Sequence, residues 1–325
     1  MNSISRRTFL AGSAGVAALA LSACGGSGSG SSSASGDKTY KIGVLQLTQH
    51  AALDAANEGF VEALDASGLS YSIDQQNANN DQSACATIAS KLVGDGDDLI
   101  FAIATPAAQA VAAATSDIPI VGSAITDYAA SGLVADNDKP GGNLTGTSDM
   151  NPVDDQIAML QKVLPNAKHI GMLYCTAESN SQLQIEMAEA ACDKAGLTTE
   201  RFTVSSSNEV QSVVESMVGK VDAGYSPTDN TIAAAAAQVG QIAKEGKLPF
   251  IAGEENMCMG LGICTVSIDY KELGKMAGEM AVKILKGEDT PANMAIQTES
   301  GDQLQVIKNE EMAEALGIDL SVLDA

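Results

Sequence analysis

Basic and aromatic side chains are scarce in this 325-residue sequence. It contains no tryptophan, aromatic residues make up 3% of it, and Arg201 is the only arginine beyond the first seven residues. Arginine is the side chain that best clamps a phosphate or a dicarboxylate through two parallel hydrogen bonds, so we do not expect a polyanionic ligand. The formal net charge of −23 also argues against nucleic acid as a partner, because nucleic-acid-binding proteins present a basic surface.

Motifs of the common enzyme classes are also missing. The sequence has no Gly-x-Ser-x-Gly elbow, no Gly-x-x-x-x-Gly-Lys loop and no Gly-x-Gly-x-x-Gly turn after a predicted strand. Its two histidines, His50 and His169, do not stand at ligand spacing from a cysteine pair, which argues against zinc. We therefore predict a protein that is not an enzyme and has no cofactor and no metal. A secreted enzyme is an alternative hypothesis, and turnover of a bound metabolite would establish it.

The amino-terminal segment has the features of an export signal. The letters SRRTFL at residues 5–10 form a twin-arginine start, and a short apolar run follows at residues 11–21. This run is too short to remain in a bilayer as a spanning helix. It ends in LSAC at residues 21–24, which resembles a bacterial lipobox; an ordinary signal peptide with a chance cysteine is the alternative. We predict a signal peptide at 1–23 and lipidation of Cys24, which places the protein outside the cytoplasm, anchored to the outer face of the bacterial cell membrane.

Five cysteines follow the predicted lipidation site, an odd number for an oxidising compartment. They are Cys85, Cys175, Cys192, Cys258 and Cys264. At least one of them must stay free. Cys258 and Cys264 flank a short glycine-containing turn that can bring them together, so we predict a local disulfide between them.

The remaining chain alternates strand and helix signals. Residues 24–38 are mainly glycine and serine and predict a flexible linker. Beyond it, nine short apolar segments alternate with eight helical ones, which is typical of βα units around a parallel sheet. Nine strands are many for one sheet, and the letters IGVL at residues 42–45 are echoed by IGML at residues 170–173. We predict an α/β protein with two doubly wound parallel-sheet lobes and a first crossing between them at residues 141–151.

Ligands of parallel sheets bind beyond the carboxyl ends of the strands, where polar loops and helix N-termini converge. Thr105 stands at such a strand end and precedes Pro106. It either caps the next helix or, with the backbone N–H groups there, holds a carboxylate. Thr126 offers a second hydroxyl from the neighbouring strand end. His50 lies either in the cleft as a hydrogen-bonding group or on a helix surface.

A second polar strand end, SPTDN at residues 226–230, precedes an alanine-rich helix. One residue, Thr228 or Asp229, is enough to cap that helix. The remaining polar groups can therefore accept hydrogen bonds from a ligand ammonium. Glu254 or Glu255 can face the same cleft from the next loop.

Six strand-end segments carry a family resemblance. They are QxxxHxxLD at 46–54, NAxxD at 77–81, ATPAAQ at 104–109, GTSD at 146–149, PTDN at 227–230 and DYxxLG at 269–274. With them, residues 41–325 resemble the substrate-binding lipoproteins of ABC transporters, in the group that contains tryptophan and tyrosine transport candidates. The resemblance implies the type I periplasmic-binding fold, in which two lobes joined by three crossings close on a ligand. The first lobe would comprise residues 39–145 plus 269–294, and the second 146–268 plus 295–325.

The resemblance also implies roles for individual residues. Amino-acid binders of this fold hold the ligand carboxylate with the first lobe and the ammonium with an acid of the second. Thr105 and Thr126 match the first role and Asp229 the second, with Glu254 as the alternative acid. The full set of ligand-binding candidates is Gln46, His50, Thr105, Thr126, Asp127, Ser179, Asn180, Tyr225, Thr228, Asp229, Asn230 and Glu254.

The function implied is that of a monomeric, extracytoplasmic solute-binding lipoprotein of an ABC importer. It would bind a small zwitterionic solute, an aromatic or branched amino acid, and pass it to an ABC permease and its ATPase. Because few aromatic side chains can reach a cleft, a branched aliphatic or small amide ligand remains open. A ligand-sensing module for a membrane receptor has the same fold and is the alternative function.

Overall fold

The structure is a computed structural model that describes residues 38–299 and 301–324. These residues form two separate β-sheets. Each sheet with the helices packed on it forms one lobe. The predicted signal peptide at 1–23, the lipidation site Cys24 and the linker up to residue 37 lie outside the described residues. Within the described part, no helix is both long enough and apolar enough to cross a bilayer.

The first lobe contains a five-stranded parallel sheet in the order β2-β1-β3-β4-β5. Its strands are β1 Thr39–Gln46, β2 Ser70–Asn77, β3 Leu99–Ile103, β4 Ile120–Ile125 and β5 Leu144–Ser148. Its helices are α1 Ala51–Ala66, α2 Gln82–Asp95, α3 Thr105–Ala114 and α10 Tyr270–Leu285. The central strand β3 is buried along its whole length, as is typical of parallel sheets covered by helices.

Helix α10 belongs to the first lobe although it comes late in the chain. It packs on α1, where glycines let the two backbones approach closely. A Cβ atom on Gly274 would lie 1.9 Å from the Ala56 carbonyl oxygen, and one on Gly59 would lie 2.0 Å from that of Lys271. Only glycine fits at these two positions, so they fix residues 270–285 to the first lobe.

The second lobe contains a six-stranded sheet in the order β11-β10-β9-β8-β6-β7, in which only β11 is antiparallel. Its strands are β6 His169–Cys175, β7 Thr198–Val204, β8 Ala223–Ser226, β9 Phe250–Ala252, β10 Cys264–Ser267 and β11 Gln305–Lys308. Its helices are α4 Val153–Val163, α5 Ser179–Lys194, α6 Val210–Met217, α7 Asn230–Ala234, α8 Ala236–Gly246, α9 Glu255–Leu261 and α11 Glu310–Leu316. The predicted α/β architecture with two parallel-sheet lobes is confirmed.

The chain passes between the lobes three times. The first crossing, residues 149–152, joins β5 to α4, and the second, residues 268–269, joins β10 to α10. The third follows Gln297, which forms an isolated bridge with Thr147 of β5, and leads to β11. Three extended crossings side by side form the hinge of a two-lobed protein.

Strand β5 was not predicted as a strand, and it extends to Ser148 in the first sheet, beyond the predicted lobe boundary at residue 145. Its sequence, LTGTS, has one large apolar residue and therefore no hydrophobic run. All five residues are nevertheless buried. The hydroxyls are satisfied inside the protein; for example, Thr145 donates to the Met294 carbonyl at 2.7 Å. A buried polar strand of this kind leaves little signal in the sequence.

The predicted disulfide between Cys258 and Cys264 is not formed, and all five described cysteines are free and buried. The glycine-containing segment between the two is not a simple turn, because Cys258 lies on helix α9. Cys258 packs with the helices on one face of the second sheet, whereas Cys264 packs with those on the opposite face. The two thiols therefore belong to different apolar clusters.

Candidate functional site

A narrow cavity lies between the lobes, where the strands of both sheets end. The space between its atoms is about 280 Å³, part of which is open to solvent, and a water-sized sphere has only about 10 Å³ in which to move, so its walls are close together. The lining residues are His50, Ala52, Leu53, Ala124, Asp149, Asn180, Thr228, Asp229, Asn230, Ala233, Glu254, Met257 and Tyr270. Two wider grooves, in which the same sphere has about 530 and 500 Å³, lie on the outer surface, along α1 and α10 and beside α4, away from these strand ends.

The lobes touch each other beside this cavity. The Asn80 amide donates to the Thr231 hydroxyl at 2.9 Å, from the first lobe to the second. The Gln82 amide donates to the Ala177 carbonyl at 3.0 Å, also between lobes. Such bonds require the cleft to be shut, so the structure represents a closed arrangement of the two lobes.

Three buried carboxyl groups line the cavity, namely Asp149, Asp229 and Glu254, and a fourth, Glu178, lies behind the lining residue Asn230. None of the ion pairs that the described residues form involves any of them. Burial raises the pKa of Asp149 to about 6 and that of Glu254 to about 7. Burial, and after it the nearby charge of Glu178, also raises the pKa of Asp229. Buried acids without a base favour the arrival of a cationic group.

Two of these acids cap helices. Asp229 accepts hydrogen bonds from the backbone N–H of Ile232 at 2.8 Å and of Cys175 at 2.6 Å, at the start of α7. Glu254 accepts one from the backbone N–H of Asn256 at 2.7 Å, at the start of α9. The structure therefore favours the capping interpretation of Asp229 that the sequence left open.

Asp149 differs from the other acids because it does not stand at the start of a helix. One carboxyl oxygen accepts from the Thr126 hydroxyl at 3.0 Å, and the other accepts from the Tyr270 hydroxyl at 2.8 Å. Each oxygen keeps a lone pair for a further donor. Asp149 is thus the acid in this cavity whose charge is least committed to the protein itself.

Two acceptor atoms in the cavity lining lack a partner among the described residues, His50 Nδ1 and Asn180 Oδ1. Burial lowers the pKa of His50, so its ring is neutral at physiological pH. Buried polar atoms are normally paired. A ligand that carries N–H donors is therefore the kind that this lining suits.

The sequence matches the family model for the ABC transporter substrate-binding protein over residues 41–322, which is most of the chain. The chain belongs to this family. As a substrate-binding protein it is extracytoplasmic, takes a small-molecule ligand and has an ABC permease and its ATPase as partners. Its relatives bind solutes and are not enzymes, which agrees with the prediction from the sequence.

Relatives of this substrate-binding protein share much of its length. It is 40% identical over 283 residues to a tyrosine-binding protein of Clostridioides difficile, which covers 86% of this chain and 81% of the relative. It is 41% identical to a Streptococcus pneumoniae protein solved in complex with L-Trp, with a TM-score of 0.84, covering 88% of this chain and 98% of the other.

A third relative bears on the conformation. It is a substrate-binding protein with adhesive properties from Clostridium difficile, solved in a ligand-free, open structure. It is 42% identical to this protein, and the match covers 86% of this chain and 96% of the relative's chain, but the two structures superpose with a TM-score of only 0.66. Because the L-Trp complex is about equally similar in sequence yet superposes better, the comparison agrees with the closed arrangement of the lobes.

Half of the predicted binding residues of this substrate-binding protein line the cavity. They are His50, Asn180, Thr228, Asp229, Asn230 and Glu254. Five of them follow β6, β8 and β9 of the second sheet, whose carboxyl ends share one edge, and His50 follows β1 of the first sheet and meets Asn230 across the cleft.

Four other candidates lie elsewhere. The Gln46 amide donates to Asp54 within the first lobe, and Asp127 accepts from the backbone N–H of Ala130 in a turn. Ser179 is exposed at the start of α5. Tyr225 is fully buried in the core of the second lobe, where its ring packs on the face of the sheet and does not reach the cavity at the strand end.

The two threonines predicted to hold a carboxylate also lie outside the cavity lining. Thr126 donates its hydroxyl to Asp149 and accepts from Gln184 at 3.3 Å, so its proton is already used. Thr105 is buried, and its hydroxyl has no partner among the residues described. The preceding residue, Ala104, has a left-handed φ of 83°, a strained conformation of the kind that occurs at functional sites.

Several lining residues were missed by the sequence reasoning. Asp149 follows β5, the strand that was not recognised, although it closes the GTSD segment of the family resemblance. Tyr270 opens α10 directly after the second crossing. Leu53 and Met257 are apolar residues of helices, and an apolar helix residue is ordinarily assigned to a core. The family resemblance offered a signal for three of them, because Asp149, Leu53 and Tyr270 stand in the segments GTSD, QxxxHxxLD and DYxxLG, but it offered none for Met257.

Proposed function

We propose that this protein binds an aromatic L-amino acid between its lobes and delivers it to an ABC permease and ATPase. The observation that carries the proposal is a closed cavity lined by a carboxyl group outside any ion pair and by two buried polar atoms without a hydrogen-bond partner. Asp149, His50 Nδ1 and Asn180 Oδ1 are buried there without a basic partner, and an α-ammonium group offers the three N–H donors and the positive charge that they lack.

The apolar part of the lining supports an aromatic side chain on the ligand. Leu53, Met257 and the ring of Tyr270 face the same cavity. Apolar surfaces of this kind pack well against a planar ring once the walls move apart to admit it, and methionine sulfur makes favourable contacts with aromatic rings. The relatives named for tyrosine and solved with L-Trp support the same ligand class.

Thermal melts of ligand-free protein test the proposal. The protein is unfolded to release any bound ligand and refolded, and its melting temperature is then measured with each of the twenty amino acids at equal concentration. A ligand at 100 times its dissociation constant stabilises the folded state by about 2.7 kcal/mol, which raises the melting temperature by several degrees. We expect L-tryptophan or L-tyrosine to give the largest shift and L-leucine and L-isoleucine a smaller one. The absence of a shift with any amino acid would refute the proposal.

We further propose that Cys24 carries a lipid that anchors a monomer to the outer face of the cell membrane. The twin-arginine start and the lipobox-like LSAC support this. Replacing Cys24→Ser should release the protein from the membrane fraction, while Cys85→Ser, which lies in the first-lobe core, should leave it there. Retention of the Cys24→Ser protein after a salt wash would rule out the anchor.

A further inference from the structure

We infer that Glu178 and Asn230 act as a relay that fixes the proton on His50 when the lobes close, so that His50 offers the ligand an acceptor nitrogen. The inference rests on the proposed function and goes beyond it, because Glu178 does not line the cavity. It makes Glu178 a positioning residue that acts through Asn230.

Glu178 holds Asn230 in one orientation. Its carboxylate is buried, and one oxygen accepts from both the backbone N–H of Asn230 at 3.0 Å and the Asn230 side-chain amide at 2.6 Å. The other oxygen accepts from the backbone N–H and the hydroxyl of Thr231 at 2.9 and 2.8 Å. Because a carboxylate only accepts, the NH₂ of Asn230 must face Glu178 and its Oδ1 must face away.

Asn230 in turn sets the tautomer of His50. Its Oδ1 lies 3.2 Å from His50 Nε2, across the gap between the lobes. Since an amide oxygen only accepts, Nε2 must carry the ring proton. The neutral ring then has a bare Nδ1, and this atom is buried without a partner among the described residues.

The relay exists only when the lobes are closed. His50 belongs to the first lobe, at the end of β1, whereas Glu178 and Asn230 belong to the second. Opening the cleft separates His50 from Asn230 and returns the ring to water, where both tautomers are accessible. Closure therefore creates the acceptor at the moment when the ligand ammonium is enclosed, and it selects ligands that carry an N–H donor at that place.

The tautomer can be read directly by nitrogen NMR. The chain has two histidines, His50 and His169, so His169→Gln leaves a single imidazole in ¹⁵N-labelled protein. With saturating L-tryptophan we expect a protonated Nε2 and an unprotonated Nδ1. A protonated Nδ1 in the bound state would overturn the inference.

A matched pair of variants separates positioning from general stabilisation. Glu178→Gln lets the new amide donate to Asn230 and turn it, whereas Gln82→Ala removes another interlobe hydrogen bond without touching His50. Affinities are measured for L-tryptophan and for indole-3-propionic acid, which lacks the ammonium. We expect Glu178→Gln to reduce the ratio of the two affinities about tenfold, the value of one hydrogen bond, and Gln82→Ala to leave the ratio unchanged.

The outcomes distinguish the two proposals. If Glu178→Gln weakens both ligands equally, Glu178 is structural and the relay is refuted while the proposed function stands. If wild-type protein binds neither L-tryptophan nor L-tyrosine, the proposed function fails and the relay fails with it.

Discussion

The hydroxyl of Tyr270 donates to the carboxylate of Asp149 at 2.8 Å and so joins the first crossing of the hinge to the beginning of α10 after the second. The second crossing is tied to its neighbours in the same way. The backbone N–H of Ile268 donates to Asn151 at 3.1 Å, and that of Asp269 donates to Glu299 at 2.7 Å. The acid that faces the cavity is therefore part of the hinge. A cation bound at Asp149 would therefore contact the hinge directly.

Replacing Asp149→Asn removes the charge that we assign to the ligand ammonium. Loss of a charge-assisted hydrogen bond in a buried site costs about 1.5–3 kcal/mol, so we expect the dissociation constant for L-tryptophan to rise about 10- to 150-fold. The melting temperature of the ligand-free protein should not fall, because the variant also removes a buried, unpaired charge. Calorimetric titration and a thermal melt measure the two quantities.

Asp229→Asn is the matched control for Asp149→Asn. Asparagine caps a helix about as well as aspartate, but its NH₂ group cannot accept from the Cys175 N–H, and leaving that buried donor without a partner should lower stability by about 1–3 kcal/mol. Affinity should change little. If instead Asp229→Asn loses affinity and Asp149→Asn keeps it, the assignment made from the sequence is right and ours is wrong.

The affinity for an amino acid should fall in acid. The pKa of Asp149 is raised to about 6, and the ligand ammonium needs this carboxyl in its ionised form. Below pH 6 each bound ligand must therefore displace a proton, and affinity should drop about tenfold between pH 7 and pH 5. Asp149→Asn should flatten this dependence. A pH-independent affinity over this range would contradict the role of Asp149.

Stability of the ligand-free protein should change with pH in the opposite direction. Glu254 has its pKa raised from 4.5 to about 7 by burial, so between these values the folded state binds more protons than the unfolded state. The free energy of unfolding must then decrease as the pH rises through this window. Denaturant titrations at pH 5.5 and 7.5 check the sign, and Glu254→Gln should reduce the difference.

The close contact of α1 and α10 predicts that a single methyl group added at Gly274 lowers the stability of the fold. Gly274→Ala would place a Cβ 1.9 Å from a backbone oxygen, so the helices must separate, at a cost of about 1–3 kcal/mol or more. Gly94→Ala is the control, because Gly94 lies in α2 with open space around its Cβ position. That change should be neutral or stabilise by up to about 1 kcal/mol. Equal denaturation midpoints for the two variants would contradict the packing.

Apolar runs made the fold predictable from the sequence. Strands such as Leu99–Ile103 are buried on both faces and stand out as continuous apolar segments, and their alternation with helices predicts parallel sheets. Strand β5 lacks such a run because three of its five residues carry hydroxyl groups. These residues can still be buried, since hydroxyls such as those of Thr145 and Ser148 donate to backbone carbonyls. Because this strand was not predicted, Asp149 at its end was not among the predicted binding residues.

The site was harder to predict because the role of a polar residue depends on its partners. Asp229 stands at the expected strand end, yet both of its oxygens accept backbone N–H groups. Thr126 also stands where it was expected, but its proton goes to Asp149. The cap on Ile232 was one of the roles that the local sequence allowed, but Cys175 and Asp149, the other two partners, lie in other elements and leave no mark there. Cleft residues can be located from strand ends, whereas their roles require the geometry.

The crystal structure of the complex with L-tryptophan tests the central claim most directly. The account predicts that the ammonium nitrogen lies about 2.7–2.9 Å from the carboxylate of Asp149 and within hydrogen-bond distance of His50 Nδ1 and Asn180 Oδ1. The indole ring would then lie against Leu53, Met257 and Tyr270. A ligand carboxylate beside Asp149, or an ammonium held by Asp229 alone, would contradict the account.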